Sequence, residues 1–186
     1  MSLLPEPMII TFVFLLGAAF GSFINVIIYR VPKKMSIIAP ASHCFSCKER
    51  ILLKDNLPIL GYFLLKGKCR HCSAKFPSRY AFVELITAIL SIILYLIYGI
   101  SGEFFIHLTL LYLLIAITFV DIDHLIIPNG FILFGLSILI LGLLFGWINM
   151  DWQYAASGSF VFAGFLFGIG LIGQFLLKKK VLDLGM

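Results

Sequence analysis

The chain has 186 residues, of which 61% are hydrophobic and 12% are charged, and its formal net charge is +5. A soluble domain is roughly 45 to 50% apolar, so this composition indicates a membrane protein and excludes a large soluble catalytic domain and intrinsic disorder. We predict an all-α polytopic membrane protein with about five transmembrane helices and a zinc-clasped cytoplasmic loop domain after the first.

The first predicted segment, 1–29, contains an apolar run from about residue 8. No Lys or Arg precedes Arg30, so the run lacks the basic start of a cleavable signal peptide, and we expect it to remain as an anchor with its N-terminus outside. Small and polar residues occupy its second half and usually indicate close helix packing. They are Gly17, Gly21, Ser22 and Asn25. Asn25 could instead line a polar site.

The polar segment 30–79 is predicted to be the cytoplasmic loop domain. It holds eleven of the fourteen basic residues, and the other three lie at 178–180. Lys and Arg are retained on the cytoplasmic side of a bilayer, so membrane topology accounts for the positive charge without a nucleic-acid partner.

Two Cys-x-x-Cys pairs lie in this loop domain, separated by 21 residues: Cys44, Cys47, Cys69 and Cys72. Two such pairs supply the four tetrahedral sulfur ligands of a closed structural zinc site. A loop of about 50 residues needs a staple, and disulfides are disfavoured in the cytoplasm. We therefore predict structural zinc, with thiol redox chemistry and unliganded thiols as alternatives. His43 and His71 flank the pairs and could replace a sulfur ligand.

Segment 80–177 is predicted to hold four more spans, before a basic cytoplasmic tail at 178–186. The four apolar runs cover about 80–98, 104–120, 131–148 and 159–177. Five crossings place the loop domain, the link at 121–129 and the tail on one side of the membrane, as the basic residues require.

Acids are few, so their positions are informative. Glu84 falls within the second predicted span, where an acid is a functional or a paired group. Pairing with Arg79 near the membrane boundary and a role in a site are both open.

Asp121 and Asp123 close the third predicted span, followed by His124 and, after three apolar residues, Pro128. On a helix, positions i and i+2 point to nearly opposite faces, whereas Asp121 and His124 share a face. The two acids therefore do not form a carboxylate dyad by themselves. The alternative is that both are ordinary interfacial acids at a span end.

The order and spacing of these motifs resemble the type IV prepilin leader peptidases, which are aspartic proteases of the bacterial inner membrane. The matching stretches are Gly21–Pro32, the two cysteine pairs, Asp55–Pro58, Ser78–Tyr80, Val83–Leu85 and Asp121–Asn129. The resemblance implies cleavage of a basic leader from prepilins and pseudopilins, with Asp121 as the first catalytic aspartate, because six residues separate it from Pro-Asn. Asp123 is the second candidate.

The resemblance also implies that many members methylate the new N-terminus with S-adenosylmethionine, an activity associated with the cysteine-bearing region. One departure concerns the family's second aspartate, which lies in a Gly-x-Gly-Asp motif. The given sequence reads Leu182-Asp183-Leu184-Gly185-Met186 and does not contain the aspartate of this motif. The chain is then expected to be a fragment or a shortened relative, with Asp183 as a possible substitute.

Two other functions follow from these observations. A non-proteolytic zinc-clasped membrane module, for methyl transfer or substrate docking, is the alternative if the second aspartate is missing from the whole protein. A membrane thiol oxidoreductase would use the cysteine pairs for redox chemistry instead of zinc. The sequence leaves open which precursors are cleaved and the oligomeric state.

Overall fold

The computed structural model describes residues 5–148 and 151–182, and within these ranges it is helical and has no β-strand. The helices are α1 (Glu6–Arg30), α2 (Leu60–Leu64), α3 (Arg79–Tyr98), α4 (Gly102–His124), α5 (Asn129–Leu144) and α6 (Trp152–Leu182), with a 3₁₀ helix at Leu53–Asp55. The chain divides into two compact units, Met1–Trp147 and Ile148–Met186. The predicted all-α class is confirmed.

Helices α1, α3 and α4 are long and apolar enough to cross a membrane, and they match the first three predicted spans. Helix α5 is apolar but has 16 residues, which at 1.5 Å per residue is about 24 Å, less than the roughly 30 Å hydrocarbon core. The predicted fourth span, 131–148, extends beyond the end of this helix. Helix α6 contains the predicted fifth span and belongs to the second unit. Asp183 lies outside the described residues.

Helix α1 packs closely against α3 because glycine leaves room for the approaching backbone. A Cβ on Gly21 would lie 2.6 Å from the Cα of Glu84, and a Cβ on Gly17 would lie 2.8 Å from the Cα of Ala88. No side chain fits at either point without moving a helix, which is the usual role of small residues between membrane helices. The predicted close packing in the second half of the first span is confirmed.

Two apolar clusters hold α1, α3 and α4 together as a three-helix bundle. One cluster contains Ile24, Ile28, Val83, Ile115, Ala116 and Val120. The other contains Ile9, Val13, Phe104 and Leu108. The first cluster lies towards the end of the bundle where α1 ends, α3 begins and α4 ends, which we call the loop end.

The limits of α4 follow from local chemistry. The Ser101 hydroxyl accepts a hydrogen bond from the Phe104 N–H at 3.1 Å and caps the first turn. At the other end, Leu125 adopts a left-handed conformation and donates its N–H to the Asp121 carbonyl at 2.8 Å. Pro128 then precedes α5. The two acids of the predicted catalytic motif therefore lie in the last turn of α4, at the loop end.

Candidate functional site

The segment 31–78 between α1 and α3, which we call the cysteine loop, brings the four cysteines together. Their sulfur atoms all lie within 4.8 Å of one another. The Cys44 and Cys72 sulfurs are 3.7 Å apart, and those of Cys47 and Cys69 are 3.9 Å apart. Tetrahedral zinc with Zn–S bonds of about 2.3 Å places its sulfur ligands about 3.8 Å apart. The predicted four residues can thus hold a metal ion, and their geometry fits zinc.

Each cysteine pair lies on the same kind of tight turn. The Cys44 N–H donates to the Glu49 carbonyl at 2.9 Å, and the Cys69 N–H donates to the Ala74 carbonyl at 2.8 Å. The residue after the second cysteine of each pair has a positive φ. This repeated backbone geometry aims two sulfurs from each turn at one point.

The turns favour the thiolate, the form that binds metals, at the first cysteine of each pair. The backbone N–H of Cys47 is the main cause that lowers the pKa of Cys44 to about 6, with a further contribution from the N–H of Ser46. Backbone N–H groups of Cys72 and His71 likewise lower the pKa of Cys69. The pKa of Cys47 is raised instead, because the lowering effect of the Glu49 N–H is outweighed by burial and by hydrogen bonds with the other cysteine sulfurs. The first cysteine of each pair is therefore prepared to ionise before a metal contributes its own charge.

Two arginines fasten the cysteine loop. The buried Arg30 guanidinium donates to the Ser36 carbonyl at 2.9 Å and to the Pro40 carbonyl at 2.6 Å. Arg70 forms a bidentate ion pair with Asp55. The hydrogen bonds from Arg70 lower the pKa of the Asp55 carboxyl group. The loop is thus tied to the end of α1 and to itself.

A cavity of about 470 Å³ lies where α1, α3 and the cysteine loop meet. This volume falls within the roughly 300 to 1,000 Å³ of typical small-molecule sites. Polar and aromatic side chains line it together, including Asn25, Tyr29, Asp55, Tyr62, Tyr80 and Glu84. Asn25 thus lines a cavity, and its role in a polar site stays a prediction.

Glu84 lies on the wall of this cavity and is 8% exposed. Its carboxylate accepts a hydrogen bond from the backbone N–H of Ile59 at 2.7 Å. The expected alternative partner, Arg79, instead pairs with Asp123. Ile59 has φ 62°, a conformation that is costly for a β-branched residue. The hydrogen bond to Glu84 therefore holds a strained turn of the cysteine loop against α3.

Asn25 also connects α1 to α3. Its side-chain amide donates to the Tyr80 carbonyl at 3.0 Å. The Asn25 Oδ1 atom is buried and has no hydrogen-bond partner among the residues that the structure describes.

The predicted catalytic acids differ in their partners. Asp123 is joined to Arg79 by an ion pair between α4 and the start of α3. The carboxylate of Asp121 is exposed and takes part in no ion pair within the described part of the chain. Arg79 and Asp123 are 44 residues apart in sequence. The only signal for their contact was that Arg79 precedes the second predicted span and Asp123 follows the third, which places both on the same side of the membrane.

Comparison with known proteins gives a consistent result. Residues 15–98 match the family model described as the bacterial peptidase A24 N-terminal domain. Over 91% of the chain, it is 33% identical to the "Type 4 prepilin-like proteins leader peptide-processing enzyme" of Escherichia coli O78:H11, of which it covers 70%. Proteins named "Prepilin leader peptidase/N-methyltransferase" match as well: that of Myxococcus xanthus is 38% identical over 66% of the chain, and that of Dichelobacter nodosus is 34% identical over 80%.

The chain is shorter than these relatives. It spans 36% of the Myxococcus xanthus protein and 62% of the Dichelobacter nodosus protein. No solved structure matches the chain.

Proposed function

Because this chain belongs to the type IV prepilin leader peptidase family, we propose that it is an endopeptidase of the bacterial inner membrane that removes the basic leader from prepilin and pseudopilin precursors. The cysteine loop then lies in the cytoplasm and the N-terminus outside. The observation that carries this proposal is the position of Asp121, an exposed acid in the last turn of α4 at the loop end. A precursor anchored by its apolar helix would present the base of its leader at this membrane boundary.

We assign the peptidase chemistry to Asp121. In an aspartic mechanism one carboxylate takes a proton from the attacking water while a protonated partner polarises the scissile carbonyl. Asp123 is the weaker candidate, because the ion pair with Arg79 already occupies its carboxylate oxygens. Since i and i+2 side chains diverge on a helix, the partner acid of Asp121 comes from outside this turn.

The cysteine site has a structural role in this proposal. Cys44, Cys47, Cys69 and Cys72 would hold zinc, which supplies a cross-link between two turns of a loop too small to bury a large core. The clasped loop in turn fixes Pro58 and Ile59 beside α3.

Leader cleavage in membranes that contain the full chain tests the proposal. A prepilin precursor with a basic leader is the substrate, and Asp121→Asn is expected to abolish the shorter product. Glu103→Gln is the matched control, because it makes the same acid-to-amide change in the first turn of α4, at the opposite end of the bundle. Equal cleavage by Asp121→Asn and the control would contradict the assignment. Failure of the unmodified chain to cleave, with methyl transfer retained, would favour the non-proteolytic module.

A second candidate function is methylation of the new N-terminal amine, and the cavity beside Glu84 favours it. Two of the relatives above carry N-methyltransferase in their names. S-adenosylmethionine, when bound, supplies an electrophilic methyl group. The cavity offers tyrosine rings and an acid for such a cationic ligand. The expected product is a cleaved pilin that carries one additional methyl group, and mass spectrometry of its N-terminal peptide detects the change.

A further inference from the structure

The cavity walls carry one acid whose charge is unmatched within the described residues. Asp55 pairs with Arg70, and the Arg30 guanidinium already donates to two carbonyl oxygens. Glu84 receives a hydrogen bond from Ile59, but no basic side chain of the described chain forms an ion pair with it. A buried carboxylate is costly unless a positive charge accompanies it. The arrangement therefore favours a cationic occupant.

The aromatic content of the cavity points in the same direction. Tyr62, Phe76 and Tyr80 line it together with Glu84. Aromatic faces attract organic cations, and rings that surround a desolvated cation are a recurrent means of recognising methylated onium groups. A cavity lined by several rings and by one acid that is unpaired within the described residues suits a soft, methyl-bearing cation better than it suits a metal ion, which would require several oxygen ligands.

We infer that this cavity is the binding site of a sulfonium methyl donor, S-adenosylmethionine, and that the Glu84 carboxylate matches the positive charge of its sulfur. The inference rests on the second proposed function, because methyl transfer requires such a donor. It goes beyond that function in two ways. It places the donor between α1 and α3 at the loop end, and it names Glu84 as the side chain that distinguishes the charged donor from its neutral product.

The proposed site exists only when α1, α3 and the cysteine loop are packed together, because all three contribute to its walls. Gly21 allows α1 to approach the Cα of Glu84, while Leu57, Pro58 and Gly61 of the cysteine loop line the cavity beside the turn at Ile59. The acid comes from a membrane helix, and its hydrogen-bond donor comes from a segment that the cysteine turns hold in place. Binding is therefore expected to require both the bundle and the clasped cysteine loop.

Direct binding to the purified full chain in detergent tests the role of charge. The probes are S-adenosylmethionine, which is positively charged at sulfur, and S-adenosylhomocysteine, which is neutral there. The unmodified chain is expected to bind the charged probe about tenfold more tightly. Glu84→Gln retains an oxygen that can accept from Ile59 but removes the charge, so it is expected to abolish this preference. Glu103→Gln, the control at the opposite end of the bundle, is expected to keep it.

A second measurement locates the ligand without relying on activity. Ultraviolet cross-linking of radiolabelled S-adenosylmethionine, followed by peptide mapping, is expected to label the peptides containing Tyr62 or Tyr80. Val26→Phe places a larger apolar side chain on the cavity wall without altering any charge, and it is expected to reduce both labelling and affinity. Thermal unfolding of each variant separates loss of binding from loss of fold.

The outcomes separate the inference from the function on which it rests. Binding that Glu84→Gln and Val26→Phe both leave unchanged, or a label confined to peptides outside the cavity, would overturn the inference even if the pilin product is methylated. Absence of both donor binding and methylated product would overturn the inference and the second candidate function together. Methylation that is lost in both variants while leader cleavage continues would support the inference.

Discussion

The Arg79 guanidinium at the start of α3 forms an ion pair with the Asp123 carboxylate in the last turn of α4. This contact joins the segment that leaves the cysteine loop to the turn that carries the predicted catalytic Asp121. Asp123 therefore has a structural partner, and we assign it a positioning role in the proposed peptidase. The pair also places the cysteine loop and the acid motif at the same end of the bundle.

Exchange of the two charges tests that positioning role. We expect Asp123→Asn and Arg79→Gln each to lower leader cleavage about tenfold, because a small displacement of the turn misplaces Asp121. Stability should change by about 1 kcal/mol or less, since both groups are partly exposed. The double variant Arg79→Asp/Asp123→Arg is expected to recover much of the loss. Measurement of kcat and KM for a prepilin precursor, with thermal unfolding, checks both effects.

The same series separates positioning from catalysis. A catalytic Asp123 would make Asp123→Asn as inactive as Asp121→Asn, and the charge exchange would restore nothing. Recovery in the double variant requires only that the turn be held, which is the role that we assign to this pair.

Removal of the metal should loosen the cysteine loop while leaving the bundle helical. We expect one zinc ion per purified chain by elemental analysis, and a strong chelator or Cys44→Ser should lower the unfolding temperature of the loop and expose it to protease. Helical circular dichroism should change little, because α1, α3 and α4 pack through their own apolar clusters. Ser46→Ala is the matched control, since it keeps the backbone N–H that faces Cys44. A metal-free chain with reversible disulfides would instead support the oxidoreductase.

Substitution of Gly21 should weaken the contact between α1 and α3. In Gly21→Ala the new Cβ would lie 2.6 Å from the Cα of Glu84, so the helices must separate, and we expect a loss of about 1 to 3 kcal/mol. Gly164→Ala makes the same change at a helical position with nothing within 4 Å, and it should be neutral or slightly stabilising. Unfolding in detergent, followed by circular dichroism, compares the two. Equal stability of both variants would mean that α1 and α3 do not depend on this approach.

Elements whose causes are local could be predicted from the amino-acid sequence alone. Runs of apolar residues predict α1, α3 and α4 because each helix satisfies its own backbone within the bilayer. The cysteine spacing predicts the four-sulfur cluster because each tight turn presents both of its sulfurs. Small residues such as Gly21 predict close packing, since only they let two backbones approach. The predicted end of the fourth span, at residue 148, was less accurate. Helix α5 ends at Leu144, but the sequence stays hydrophobic beyond this last hydrogen-bonded turn.

Which polar groups contact one another depends on how the helices and the cysteine loop pack, and the sequence did not predict it. From the sequence, Glu84 could either pair with Arg79 or belong to a site. In the structure its carboxylate accepts a hydrogen bond from the Ile59 N–H, while Arg79 pairs with Asp123, because of the rotation and depth of α3. The partner of Asp123 and the cavity between α1, α3 and the cysteine loop depend likewise on how distant segments are placed against one another. Hydropathy and residue spacing report the environment of each segment but not the rotation of one helix relative to the next. That rotation determines the partners of the acids and therefore the chemistry available to the chain.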